Sequence, residues 1–126
     1  MKTATIQLPP DTSSSEAARR FVRSRLDEWA YAGVHDDVII ATAELVSNAV
    51  RHVGSPVRVR LRLDGGCLRL EVGDDSSTEP TLRAPDVNGG FGLTLVDSVC
   101  QRWGVDQVPD DGKIIWCDCG NGAPVR

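Results

Sequence analysis

Glu44, Asn48 and His52 stand four residues apart in the stretch AELVSNAVRH (residues 43–52). A stretch of this kind reads as helix, and four-residue spacing would stack the three polar groups along one edge of it. At 100° per residue, Val38, Ile39, Leu45, Val46, Ala49, Val50 and Val53 cover an apolar arc of roughly 140°. The polar row falls just outside that arc, at the rim where a cleft wall would be. Taken alone, the row also reads as a solvated helix edge. Two further segments carry chemistry. Asp74 closes an alternating apolar stretch, and a carboxylate at a strand end can accept a hydrogen bond from an exocyclic amine such as adenine's. Gly89-Gly90-Phe91-Gly92 precedes an apolar periodic stretch. Glycines there admit a ligand close to the backbone, and a helix start offers free N–H groups to phosphate.

These residues need elements to hold them. Residues 3–8 read as a short strand, stopped by Pro9-Pro10. Ser13-x-x-Glu16 has the capping-box pattern, and Ala18, Phe21, Val22, Leu26 and Trp29 follow helical spacing, so a first helix is expected over 14–31, closed by Gly33. His35, Asp36 and Asp37 open a second helix, about 36–53, with acids in its first turn where the helix dipole favours them. After Pro56 the period changes to two: Val57 to Leu63 alternates apolar with basic, and Leu68 to Val72 alternates again across Asp64-Gly65-Gly66. Residues 75–90 are polar and aperiodic, a long loop of the kind that is often functional. A third helix is expected from Phe91 to about Trp103, then strands over 103–108 and 113–119.

The order β-α-α-β-β-loop-α-β-β implies an α+β fold. It would be a two-layer sandwich with a mixed, mostly antiparallel sheet and three helices on one face. The other sheet face would carry Arg58, Arg60 and Arg62 in water. A chain of 126 residues is one domain in length, read as 1–126, and can bury a core unaided.

Net charge is −4, which argues against nucleic acid as the partner of the Arg58/Arg60/Arg62/Arg69 stripe. No apolar run reaches membrane-spanning length, and the first fifteen residues lack a signal-peptide core, so a cytoplasmic location and no membrane partner are expected. In that setting Cys67, Cys100, Cys117 and Cys119 are expected as reduced thiols, with Cys117 and Cys119 on one face of a strand. Cys117-Asp118-Cys119 is not a C-x-x-C motif.

The three segments occur in a telling order: Glu44-Leu45-Val46-Ser47-Asn48-Ala49-Val50-Arg51-His52, then Asp74-x-Ser76-x-x-x-Pro80, then Gly90-x-Gly92-Leu93. With Trp103-Gly104-Val105 and Gly112-Lys113-x-x-Trp116 behind them, the chain resembles the histidine-kinase-like (GHKL, Bergerat) ATPases over residues 3–119. Within them it is most similar to the small stand-alone anti-sigma-factor serine kinases. The resemblance implies ATP and Mg²⁺ as cofactors. It implies Asn48 as the Mg²⁺ ligand, Glu44 as general base or water-positioner, and Asp74 as the residue that reads adenine. It also implies Ser76, Gly90, Gly92 and Leu93 as parts of the nucleotide boxes and 78–90 as the lid, while Arg51 and His52 lie near the phosphates with no assigned step. The implied activity is phosphorylation of a serine on an anti-sigma-factor antagonist, with a sigma factor as second partner and a homodimer as the assembly. Ser76 stands where many relatives have Gly, Phe91 is bulky for its place, and Arg83 is the one basic residue of a short lid. These departures motivate the alternative, a non-catalytic nucleotide-binding module that acts by sequestering a protein.

Overall fold

The computed structural model describes residues 1–53, 55–74, 94–108 and 112–121. Among these residues five strands and three helices follow in order: β1 (Lys2–Leu8), α1 (Ser14–Glu28), α2 (His35–Val53), β2 (Val57–Asp64), β3 (Cys67–Asp74), α3 (Thr94–Val99), β4 (Arg102–Val108) and β5 (Gly112–Gly120). The strands form one sheet in the order β1-β2-β3-β5-β4, and each pairing is antiparallel. This is the α+β, two-layer architecture expected from the sequence.

Period-two alternation sets the layers. On β2 Val57, Val59 and Leu61 are buried while Arg58, Arg60 and Arg62 are half-buried. On β3 Leu68, Leu70 and Val72 continue the buried face. The helices cover it with Ala18, Val22 and Leu26 of α1 and Val38, Leu45, Val46 and Ala49 of α2, spaced by three, four or seven residues. The open face is knitted by charge. Arg60 Nε donates to Glu71 at 2.6 Å, and Arg69 forks onto both Asp118 oxygens while lying over the Trp116 ring. The stripe expected as solvated is therefore half-buried and paired in large part within the sheet.

Three local expectations are corrected. Ser13 makes no side-chain cap on α1. Asp11 Oδ1 instead accepts from the Ser13 N–H, and Ser14 Oγ donates to the Pro9 carbonyl, so the residues ahead of the capping box close the helix start. At its other end α1 stops at Glu28, and Ala30, with φ 51°, turns the chain. The Tyr31 N–H bonds the Leu26 carbonyl and the Ala30 N–H bonds that of Asp27, the paired bonds of a Schellman end. Gly33 therefore does not close the helix; a side chain there would run into the Tyr31 ring. The third helix ends at Val99, not Trp103, because β4 begins at Arg102 and carries Trp103 into the sheet opposite Cys117.

The fourth correction concerns the thiols. Cys100, just after α3, is disulfide-bonded to Cys117 on β5. Cys119 does share a face with Cys117, Sγ to Sγ 3.8 Å. Burial pushes its thiol up to about 12, helped by Asp118 and Asp37, so it stays protonated and is a poor nucleophile toward its neighbour.

Candidate functional site

The sequence places the candidate residues on two elements. Glu44, Asn48, Arg51 and His52 belong to α2, and Asp74 ends β3. The side chain of His52 lies outside what is described, as do Ser76, Gly90, Gly92, Leu93 and the whole 75–93 connection.

On α2, Glu44 and Asn48 are half-buried and Arg51 is exposed, which is the rim position expected of the row. Glu44 opens onto a cleft of about 350 Å³ lined by Asp11, Thr12, Ser15, Ser47, Val50 and Arg51. The helix residues that line it follow 44, 47 and 51, one ridge of the helix, and the far wall is the start of α1. Ser47 Oγ reaches Ser15 Oγ at 3.5 Å across it. The structure thus groups Glu44 with Ser47 and Arg51 around this cleft, whereas the sequence row grouped it with Asn48 and His52. Ser47, Ser15 and Thr12 carry no motif, and only the α1–α2 packing reveals them.

Glu44's electrostatics follow from this place. Burial raises its carboxyl above the usual glutamate range, and the positive charge of Arg51 partly offsets that. A carboxylate held this way, facing an open cleft lined by hydroxyls, is equipped to take a proton.

Asp74 is 1% exposed at the last rung of the β3–β5 ladder, directly opposite Lys113. Lys113 Nζ donates to Asp74 Oδ1 at 3.0 Å, and both side chains are out of water. Sequence reading gave Asp74 a role and named Lys113 only as part of the Gly112-Lys113-x-x-Trp116 segment. The signal was available only in hindsight, as a lysine directly after Gly112 in a strand otherwise apolar on that face.

Asn48 offers an amide oxygen at a half-buried edge of α2. Among the described residues the one cluster able to hold a metal is Cys100, Cys117 and Cys119, and two of these are in the disulfide. No helix among the described residues is long and apolar enough to cross a membrane.

Comparison with known proteins agrees with this fold. The model of the family described as "Histidine kinase-like ATPase domain" matches residues 8–117. Among curated proteins none matches. A solved structure of the RsbU and RsbW domains of Rv1364c from Mycobacterium tuberculosis has a TM-score of 0.72 to this chain at 20% identity. That match covers 100% of this chain and 34% of the other, so the chain spans about a third of that protein's length, and the likeness is one of fold. The family match, over most of the sequence, establishes that the chain belongs to the histidine kinase-like ATPase domain family.

Proposed function

We propose that this member of the histidine kinase-like ATPase family binds ATP with Mg²⁺ and transfers its γ-phosphoryl group to a serine of a partner protein. The observation that carries this reading is Glu44: a half-buried carboxylate, raised by burial, facing an open cleft beside Arg51. The serine Oγ forms its bond to the γ-phosphorus, the bond from that phosphorus to the β,γ-bridging oxygen breaks, and ADP leaves with the electron pair. Glu44 takes the hydroxyl proton. Arg51 lies close enough to tune Glu44 electrostatically and has no further step. Asn48 would hold Mg²⁺, which when bound neutralises phosphate charge. Asp74 would accept a hydrogen bond from the adenine amine.

Support for the partners comes from the order of the sequence boxes and from fold likeness to a chain that includes an RsbW domain. On that basis the acceptor is an anti-sigma-factor antagonist, the second partner a sigma factor, and the assembly a homodimer of single 1–126 domains. The test is phosphoryl transfer from radiolabelled ATP to candidate antagonists, run beside calorimetry. Glu44→Ala should keep ATP affinity and lose transfer by roughly a hundredfold or more. Asn48→Ala should lose Mg²⁺-dependent binding as well. Transfer at the wild-type rate by both variants would overturn the assignment. ATP binding by the wild type with no transfer to any antagonist would favour the sequestering module.

A further inference from the structure

Cys100, Cys117 and Cys119 meet where the end of α3 lies against β5. Cys117 is fully buried, and Cys100 and Cys119 are half-buried. Their three Sγ atoms lie within 4.8 Å of one another. The backbone holds each in place. The Cys100 N–H bonds the Val96 carbonyl, Cys117 sits in the sheet between Leu70 and Trp103, and Tyr31 donates its hydroxyl to the Cys119 carbonyl. The Cys100–Cys117 bond uses two of the sulfurs and leaves the third beside them with no part in it. A covalent clasp between α3 and β5 therefore accounts for two of the three.

The spacing of the third matches a metal ligand. Four ligands held about 2.3 Å from a tetrahedral zinc ion stand about 3.8 Å from one another. Cys117 Sγ and Cys119 Sγ are 3.8 Å apart, so one edge of such a tetrahedron is already in place. Thiolates are soft ligands that select zinc or monovalent copper. Three of them form a strongly negative set, and Asp37 acts on Cys119 with the same sign. A divalent ion offsets that charge better than a monovalent one.

We propose that the reduced chain binds one Zn²⁺ through Cys100, Cys117 and Cys119, with water in the fourth position on the half-exposed side, and that the ion then clasps α3 to β5 in place of the disulfide. A dithiol reductant opens the Cys100–Cys117 bond. It leaves as its own disulfide and passes two electrons and two protons to the freed sulfurs, which become thiols. Cys100, beyond the end of α3, turns outward to the spacing that Cys117 and Cys119 already have. Zinc then displaces one proton from each of the three thiols, which go to solvent.

The test titrates Zn²⁺ into the full chain against a chromophoric chelator, in the oxidised form and after reduction by a phosphine. The reduced wild type should take one ion per chain. The oxidised chain should bind at least about a hundredfold more weakly, the upper end of what a lost outer-shell partner costs a metal site. Reduced Cys119→Ser, which keeps both disulfide cysteines, should weaken by a similar factor. Cys67→Ser, at the exposed free cysteine, should bind as the wild type does. Co²⁺ in place of Zn²⁺ should show thiolate charge-transfer and tetrahedral absorption bands in the reduced wild type alone of the wild-type forms. Zinc should also raise the melting temperature of the reduced wild type and not that of reduced Cys119→Ser. Equal affinity of the oxidised and reduced chains, or of reduced Cys119→Ser and reduced wild type, would overturn the proposal. So would a reduced chain that is folded by circular dichroism and takes no zinc. If reduction unfolds the chain, refolding on addition of Zn²⁺ supports the site, and a chain that stays unfolded in excess Zn²⁺ overturns it.

Discussion

The Tyr31 hydroxyl lies 2.9 Å from the carbonyl oxygens of both Cys119 and Gly120, tying the α1–α2 connection to the end of β5 across nearly the whole chain. Burial, then the neighbouring Cys119, Cys67 and Asp37, push its pKa up to about 12 from an ordinary value of 10.0. A folded-state pKa above the unfolded one means that this contribution to stability is complete below pH 10 and is lost as pH rises through about 12. Tyr31→Phe should therefore cost about 1–2 kcal/mol at neutral pH. Urea unfolding at a series of pH values should show the gap between wild type and variant closing across that alkaline window. A gap that did not change with pH would place the effect in packing instead.

Ala30 holds a left-handed conformation at the end of α1, with φ 51°. That region costs a residue with a Cβ roughly 1–2 kcal/mol, and glycine does not meet the penalty. Part of the gain is offset by the extra freedom of glycine in the unfolded chain. Ala30→Gly should thus stabilise the protein by about 0.5–1 kcal/mol, measured by denaturant midpoint at unchanged slope. A loss of stability would mean that the Schellman bonds of Tyr31 and Ala30 do not form.

The disulfide from Cys100 to Cys117 spans 17 residues. For a loop of that length the restricted unfolded chain accounts for about 3 kcal/mol. Thermal unfolding should shift down on adding a reductant. Cys100→Ser should unfold at the lower temperature with or without the reductant. Identical melting of the oxidised and reduced wild type would remove this contribution.

In the proposed transfer Glu44 must be ionised to accept a proton, and burial holds its pKa above the usual glutamate range. The acid limb of the transfer rate should therefore lie above that range, and Arg51→Ala should move it higher still by removing the lowering influence. Stability runs the opposite way. The raised pKa favours the protonated fold, so the benefit present at low pH disappears as pH rises through the folded value. Glu44→Gln should melt higher than wild type above that pH and no higher below the ordinary glutamate pKa.

The alternating strands were legible because one buried face and one charged face leave no other register for Val57–Leu63 or Leu68–Val72. The amphipathic faces of α1 and α2 were legible for the same reason at helical period. What was not legible depends on long-range geometry. Lys113 is 39 residues from Asp74, and their contact exists because β3 pairs with β5, with β4 displaced to the edge. The Cys100–Cys117 bond follows from where α3 ends above β5, which spacing alone does not give. The capping box failed because Asp11, two residues earlier, takes the Ser13 N–H that the Glu16 side chain would otherwise accept. The cleft beside Glu44 needs the start of α1 as its other wall, so a reading of α2 alone found the row and missed the partner residues.

The β3–β5 ladder is irregular at one place, where Leu68 pairs with Gly120 and Arg69 with Asp118, so that Cys119 is the extra residue. This divides the chain by its tolerance of insertion and deletion. A residue lost at Cys119 would restore regular pairing and leave the far rung between Asp74 and Lys113 in place. A residue lost between Lys113 and Asp118 would shift the parity of that end of β5 and set another side chain against the buried carboxylate. Length variation among descendants of this chain should therefore collect after Asp118, while the span from Lys113 to Asp118 keeps its count.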